Sequence, residues 1–427
     1  MSAQAADIRA AQLRLQEAGQ ELRRLPAAER IAALQQLLDA LADPLGAFQS
    51  ACTEQLASHA GFHPETIRAG LRLALEDWNG SALAALIENE VGDPANLDSR
   101  AASPLSAFPL TGCILAGSIP MPTLQALLLP LLLGSPVLVK PAGRDRVTPK
   151  LFARSLAKFH PLLARCIEIC DFASDDAPAI DAFVQLPCLV ASGSDATLER
   201  IRERTPSGQR FVGHGHRLSL AIVGADVEAE DWAERAARDV ALWDQLGCLS
   251  TAAVYAVGDR SRVEAVARAL AEALRSLEAR WPRGRIGAGV EAAIRDARDE
   301  ARFRAAAGQE VALMAPDDDA FTVVLEPASD WRSTPLHRFV RVYRVATPDE
   351  ARVALLPLGS HLAAVSVDGV AIDTAGDSPD FEAKLRAAGA SRVVAAGGMQ
   401  APPFGWHPDG GPLLAGLSPR GLRGTRA

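Results

Sequence analysis

Residues 101–139 contain no charged side chain. A stretch that apolar has two natural destinations, a lipid bilayer or the middle of a sheet covered on both faces. Its prolines decide between them. Pro120, Pro122, Pro130 and Pro136, with Gly134, divide it into a short run at 112–117, a leucine-rich segment at 123–133 and a second short run at 137–139. A spanning helix needs an unbroken hydrogen-bond ladder, and proline removes a donor and clashes with the preceding turn. The expectation is therefore strand, helix, strand in a parallel sheet, with no membrane span.

The surrounding pattern extends this reading. Residues 1 to about 90 show helical apolar periodicity, clearest at 31–41 and 66–86 and broken at Pro44 and Pro64. From residue 110 short apolar runs alternate with amphipathic segments, at 113–116, 137–139, 167–170, 188–191 and 220–223. This is the repeated strand–helix–strand pattern of a doubly wound, nucleotide-binding sheet. A second α/β region follows, with helices expected at 232–245 and 262–280 and strands near 252–257, 321–325, 340–345 and 363–367. The division expected is a helical layer plus Rossmann-like domain over 1–223, a second domain over 224–396, and a Gly/Pro-rich segment over 397–427 whose end, with the basic run from Arg420 to Arg426, is mobile.

Composition excludes several classes. With 44 Lys+Arg against 52 Asp+Glu the chain has a formal charge of −8, which repels a phosphate backbone and argues against nucleic acid as a partner. Its six cysteines are too sparse and irregular for a disulfide scaffold, which favours a reducing, cytoplasmic setting. Cys166 and Cys170 have no second pair of ligands, so no metal is expected. No export signal is visible at the start of the sequence.

Five segments could carry chemistry. Cys248, after Gly247 and between an expected helix and strand, is either a packing residue or a nucleophile able to attack a carbonyl carbon. The turn Gly117-Ser118-Ile119-Pro120 follows an expected strand and is either a plain connection or a set of donors at the sheet's carboxyl edge. Lys140 ends another strand and is one of four lysines among the 44 basic residues; it either snorkels to solvent or binds ribose hydroxyls or phosphate. Ser192-Gly193-Ser194 opens a charged helix, where backbone amides suit a pyrophosphate or merely need a cap. His214 and His216, flanking Gly215 in an expected turn, are candidates for proton transfer or simply solvated.

Taken in order, these segments resemble the aldehyde dehydrogenase superfamily, and more closely its LuxC-type acyl-CoA reductase branch, over residues 105–418. The segment from Asp239 to Ser250 looks like the family's cysteine segment, and that from Trp406 through His407 and Asp409 to Leu413 looks like its C-terminal signature. The resemblance implies an aldehyde-dehydrogenase-like pair of α/β domains, Cys248 as nucleophile, Lys140 at the ribose of NADPH, and Gly117, Gly193 and Ser194 along the cofactor. It also implies three departures. Ser118 stands where the superfamily usually has the oxyanion-holding asparagine, and His214 stands near the place of the water-activating glutamate. His337-Arg338-Phe339 lies near the usual Glu-x-Phe motif without its glutamate.

The activity implied is NADPH-dependent reduction of a fatty acyl thioester, on CoA or a carrier protein, to the aldehyde through an S-acyl cysteine. The alternatives are an aldehyde dehydrogenase that forms an acid, and a cofactor- or acyl-binding protein without turnover. A homo-oligomer is expected, as is association with an acyl-transfer or synthetase partner.

Overall fold

The computed structural model describes residues 3–98, 105–316, 320–370, 381–408 and 410–419. The chain forms two compact units, one from Met1–Ala60, Ala74–His216 and Pro403–Ala427, the other from Gly61–Leu73 and Arg217–Pro402.

The first unit is built on parallel strands β1 (Thr111–Ile114), β2 (Val137–Lys140), β3 (Ile167–Ile169), β4 (Cys188–Ser192) and β5 (Arg210–His214), in the order β3-β2-β1-β4-β5. Every residue of β1 and β2 is buried, which is why their sequences run apolar without alternation. The helix Ala3–Leu22 supplies Ile8 and Leu15 to the same core as Leu138, Phe183 and Leu189. At about 2 kcal/mol for each fully buried aliphatic side chain, these contacts anchor the first helix.

The charge-free stretch behaves as expected with one correction. The crossover helix between β1 and β2 is Pro120–Leu133, so Pro120 and Pro122 open the helix and Pro130 lies inside it. Prolines in the first turn cost no hydrogen bond. Pro130 leaves the Ala126 carbonyl without its helical donor, and the Cys113 thiol donates to that oxygen at 3.4 Å. Gly134, at φ +90°, ends the helix in the left-handed conformation that glycine adopts freely. The apolar run at 66–86 is likewise two helices, Pro64–Leu75 and Gly80–Glu90, the second capped by Asn79.

The segment from Pro403 belongs to the first unit rather than standing apart. Gln125 Nε2 donates to the Phe404 carbonyl at 2.8 Å, Trp78 meets the Phe404 ring edge to face at 5.2 Å, and Glu90 accepts the amides of Leu413 and Leu414 at 2.8 Å each. Residues 420–427 lie outside the described residues.

The second unit contains β6 (Leu218–Val223), β7 (Thr251–Val257), β8 (Ala312–Met314), β9 (Thr322–Glu326), β10 (Phe339–Val345), β11 (Leu362–Asp368) and β12 (Arg392–Val394), in the order β12-β11-β6-β7-β10-β9-β8. Only β8 with β9 is antiparallel among these pairings. The expected boundary at 223 therefore shifts, because β6 pairs with β7 and β11 and not with the first sheet. Helices Ala229–Ala241 and Arg260–Glu278 bury Trp232, Val240, Val263, Val266 and Leu270 against it. The helix Ala288–Ala306 has no counterpart in the sequence reading. One of its inward residues is a cation, Arg298, which donates to Thr322 Oγ1 at 2.9 Å and to the Phe321 carbonyl at 2.7 Å and so blurs the apolar stripe.

At the carboxyl edge of this sheet β6 and β11 end in Gly224 and Gly369, and a Cβ on Gly224 would fall 2.0 Å from the Gly369 carbonyl oxygen. Backbone fills that crevice.

Candidate active site

In the first unit β1 and β4 are neighbours, while the chain continues from β1 to β2 on one side and from β4 to β5 on the other. Ligands of open α/β sheets bind outside the carboxyl ends at such a switch point. Gly117, Ser118, Lys140, Gly193, Ser194 and His214 all follow or end strands at this edge, so the structure brings these six together.

Gly117 adopts φ +86°, and a Cβ there would project into open space. The turn after β1 can therefore take a ligand against its backbone. Ser118 is buried, 4% exposed, just ahead of the crossover helix. Lys140 ends β2 opposite Ile114, donates from Nζ to Ser174 Oγ at 3.2 Å, and lies 5.3 Å from the centre of the Phe172 ring. Burial lowers its ammonium pKa, partly opposed by Asp171.

Ser194 is the N-cap of the helix Asp195–Arg204, its side chain accepting from the Thr197 amide, and the Gly193 amide is spent on the His214 carbonyl at 3.2 Å. Of the two readings of this turn, the cap is therefore present in the structure. His214 is not in a solvated turn; it closes β5, in register with Ser192. The His216 amide donates to Asp195 Oδ1 at 3.1 Å.

A nicotinamide dinucleotide fits this edge by its chemistry: an open glycine turn, a buried cation beside a hydroxyl, and a helix N-terminus adjoining Gly193. Among the described residues, no group of three or more His, Cys, Asp or Glu is arranged to hold a metal, and no helix is long and apolar enough to cross a membrane.

Cys248 belongs to the second unit, in the loop before β7, and thus at the amino edge of its sheet. The helix expected to reach residue 245 stops at Ala241. Trp243, Asp244 and Gln245 then adopt φ of 54°, 49° and 63°, a left-handed run of three non-glycine residues. A second such run, Leu336, His337 and Arg338 at 61°, 57° and 66°, leads into the neighbouring strand β10.

The two runs are tied to each other. Arg338, 1% exposed, donates from Nη2 and Nε to Asp244 Oδ1 at 2.7 and 3.1 Å and from Nη1 to Glu278 Oε2 at 2.7 Å. Gln245 donates from Nε2 to the carbonyls of Thr251 at 2.7 Å and Phe339 at 3.0 Å, and accepts the Phe339 amide at 2.9 Å. The Cys248 carbonyl accepts from Ser219 Oγ at 2.7 Å, and Gln400 Nε2 donates to Ser250 Oγ at 3.0 Å. Gln245, Arg338, Ser219 and Gln400 were absent from the sequence-based candidates. Gln245 had a signal, its place three residues before the cysteine, and Arg338 had one in the His337-Arg338-Phe339 segment.

The cysteines separate sharply. Cys52, Cys113, Cys166 and Cys188 are buried, Cys170 is half-buried and Cys248 is exposed. Burial raises the thiol pKa of Cys52, Cys166 and Cys188 to about 12 and of Cys170 to about 11, and pushes that of Cys113 up as well.

In the C-terminal signature, His407 Nε2 lies 3.1 Å from Glu90 Oε1 within the first unit, and Asp409 lies outside the described residues.

Comparison with known proteins places this geometry. A sequence model of the family described as Acyl-CoA reductase (LuxC) matches residues 26–420. A long-chain acyl-protein thioester reductase of Vibrio harveyi is 24% identical over 305 residues, 69% of this chain and 62% of that protein, so the match spans less than two thirds of the relative. Among solved structures, an NAD-dependent benzaldehyde dehydrogenase from Corynebacterium glutamicum superposes with a TM-score of 0.68 at 17% identity, covering 93% of this chain and 87% of the other. A putative methylmalonate-semialdehyde dehydrogenase from Sinorhizobium meliloti 1021, complexed with NAD, gives 0.70 at 15% identity, covering 93% and 82%. The fold is that of the aldehyde dehydrogenases, and the chain belongs to the LuxC acyl-CoA reductase family.

Proposed function

We propose that this protein reduces a long-chain acyl thioester to the aldehyde with NADPH, using Cys248 as the nucleophile. The observation that carries the reading is the contrast among the six cysteines. Five are held protonated by burial, and the exposed one sits in a loop fastened from several sides. The name of the Vibrio harveyi relative supports a thioester as substrate.

In this mechanism the Cys248 thiolate attacks the thioester carbon, and the CoA or carrier thiolate leaves with the electron pair of the broken C–S bond. The developing oxyanion is held by the Cys248 backbone N–H. Lys140, Gly117, Gly193 and Ser194 would hold the dinucleotide, which when bound supplies a hydride to the acyl carbon. Cys248 then departs as thiolate from the aldehyde. His214, an imidazole where hydrolytic relatives carry a carboxylate base, leaves the acyl-enzyme without strong activation of water. Further parts of the proposal are cytoplasmic action, a homo-oligomer, and a partner that delivers or activates the acyl group.

NADPH oxidation by the purified protein, with acyl-CoAs and acyl-carrier thioesters of increasing chain length, tests the reading. Cys248→Ser should lower turnover by at least about 10³-fold. Undiminished aldehyde formation by that variant would end it.

A further inference from the structure

Two left-handed runs of three non-glycine residues, side by side at the amino edge of one sheet, need something to hold them there. Each precedes a strand of an adjacent pair, β7 and β10. All of these residues but Leu336 are buried, with Gln245 and Arg338 each 1% exposed and Asp244 3%. The left-handed backbone turns the Gln245 amide inward, where it pairs with both polar groups of the Phe339 backbone as an added strand residue would. The same amide reaches the Thr251 carbonyl, so it ties together the two ends of the loop 246–250 that bears Cys248. Arg338 fixes Asp244 from the other run, and Asp244 Oδ2 accepts the Gly284 amide at 3.0 Å. Ser219 Oγ holds the loop's crest through the Cys248 carbonyl.

We propose that Gln245 and Arg338 are positioning residues for the nucleophile: Gln245 splints the Cys248 loop across its base, and Arg338, through Asp244, holds the left-handed run that aims Gln245. The splint orients the Cys248 thiolate and N–H toward an incoming carbonyl. It does not activate the thiol. This proposal rests on the thioester-reductase reading.

The test uses the full chain with three variants. Gln245→Glu keeps the shape and the acceptor but loses the donor to two carbonyls. Arg338→Lys keeps charge and loses the fork, and Ser219→Ala removes the hydroxyl at the crest. Single-turnover acylation by a long-chain acyl-CoA is followed by intact mass, alongside alkylation of Cys248 by iodoacetamide from pH 6 to 10. Acylation at saturating thioester should fall at least about tenfold in Gln245→Glu and Arg338→Lys and less in Ser219→Ala. Half-saturation should stay within about twofold, and the pH midpoint of alkylation should not move. Acylation within twofold of the parent in all three variants overturns the proposal. So does a loss that appears only together with alkylation of the other five cysteines, which would mark general unfolding. If the parent itself is never acylated, the reductase reading fails, and that result is separate because alkylation still reports on the loop.

Discussion

The two sheets are built alike and present their candidate residues at opposite edges. The five-stranded sheet leaves its carboxyl edge open, with Gly117 and Gly143 facing space, and collects there the residues suited to a dinucleotide. The seven-stranded sheet closes its carboxyl edge with backbone, Gly224 against Gly369, and reinforces the closure with Arg235 on Asp368 at 2.7 Å. Cys248, the proposed nucleophile, sits on the amino edge, in a loop before a strand. Parallel strands offer two rims, and the rim that is not plugged by close backbone packing is the one available for chemistry. An amino-edge loop lacks the ready amides of a following helix N-terminus, so it has to be fastened by side chains, and the Gln245, Ser219 and Gln400 contacts do this.

The sharpest way to break this comparison is to place a methyl group on each rim. Gly224→Ala would push a Cβ into the Gly369 carbonyl and should cost about 2–4 kcal/mol of stability, whereas Gly143→Ala meets nothing within 4 Å and should change it by less than about 0.5 kcal/mol. Equal urea midpoints for the two variants would show that the seven-stranded rim is not sealed.

Next in size is Lys140→Ala. Losing a cation paired with a hydroxyl at the open rim should weaken NADPH about tenfold by fluorescence titration and leave the alkylation rate of Cys248 unchanged. A parallel loss of thiol reactivity would mean that the two rims are not separable in this way.

A pH-linked effect concerns Asp239, whose carboxylate accepts the amides of Gly397 at 2.6 Å and Met399 at 3.1 Å. Burial raises its pKa to about 7 despite those bonds. Between the ordinary carboxylate range and pH 7 the folded protein keeps a proton that the unfolded chain has released, so stability declines as pH rises through that window and levels off above it. Asp239→Asn should flatten that slope in urea unfolding between pH 4.5 and 8. A slope identical to the parent's would show that this carboxyl does not titrate as its burial implies.

The sequence reading succeeded where a physical rule is local. Proline spacing and unbroken apolar runs marked β1, β2 and the crossover between them, because a fully buried parallel strand has no polar face to disguise it. Gly117, Lys140, Gly193 and Ser194 were legible for the same reason, since they end or closely follow recognisable strands, whereas His214 closes a strand that was read as a turn. The proline rule started the crossover helix at residue 123, although Pro120 and Pro122 form its first turn, where a proline costs no hydrogen bond. The other failures depended on distant partners. The strand at 220–223 was assigned to the first sheet because succession along the chain does not reveal which neighbours it takes. Helical periodicity was carried on to residue 245, although Trp243, Asp244 and Gln245 turn left-handed under the hold of Arg338 and Phe339, almost a hundred residues later.

The closing segment of the first unit has a consequence for biosynthesis. Phe404, Leu413, Leu414 and Ser418 complete contacts with Gln125, Trp78, Glu90 and Ser106, residues made some 300 positions earlier. During translation the first unit therefore waits, with Trp78 uncovered and the Glu90 carboxylate lacking its amides, until the entire second unit has emerged from the ribosome. The later-made unit can finish folding first, and the earlier one is exposed for most of synthesis to whatever binds nascent apolar surface.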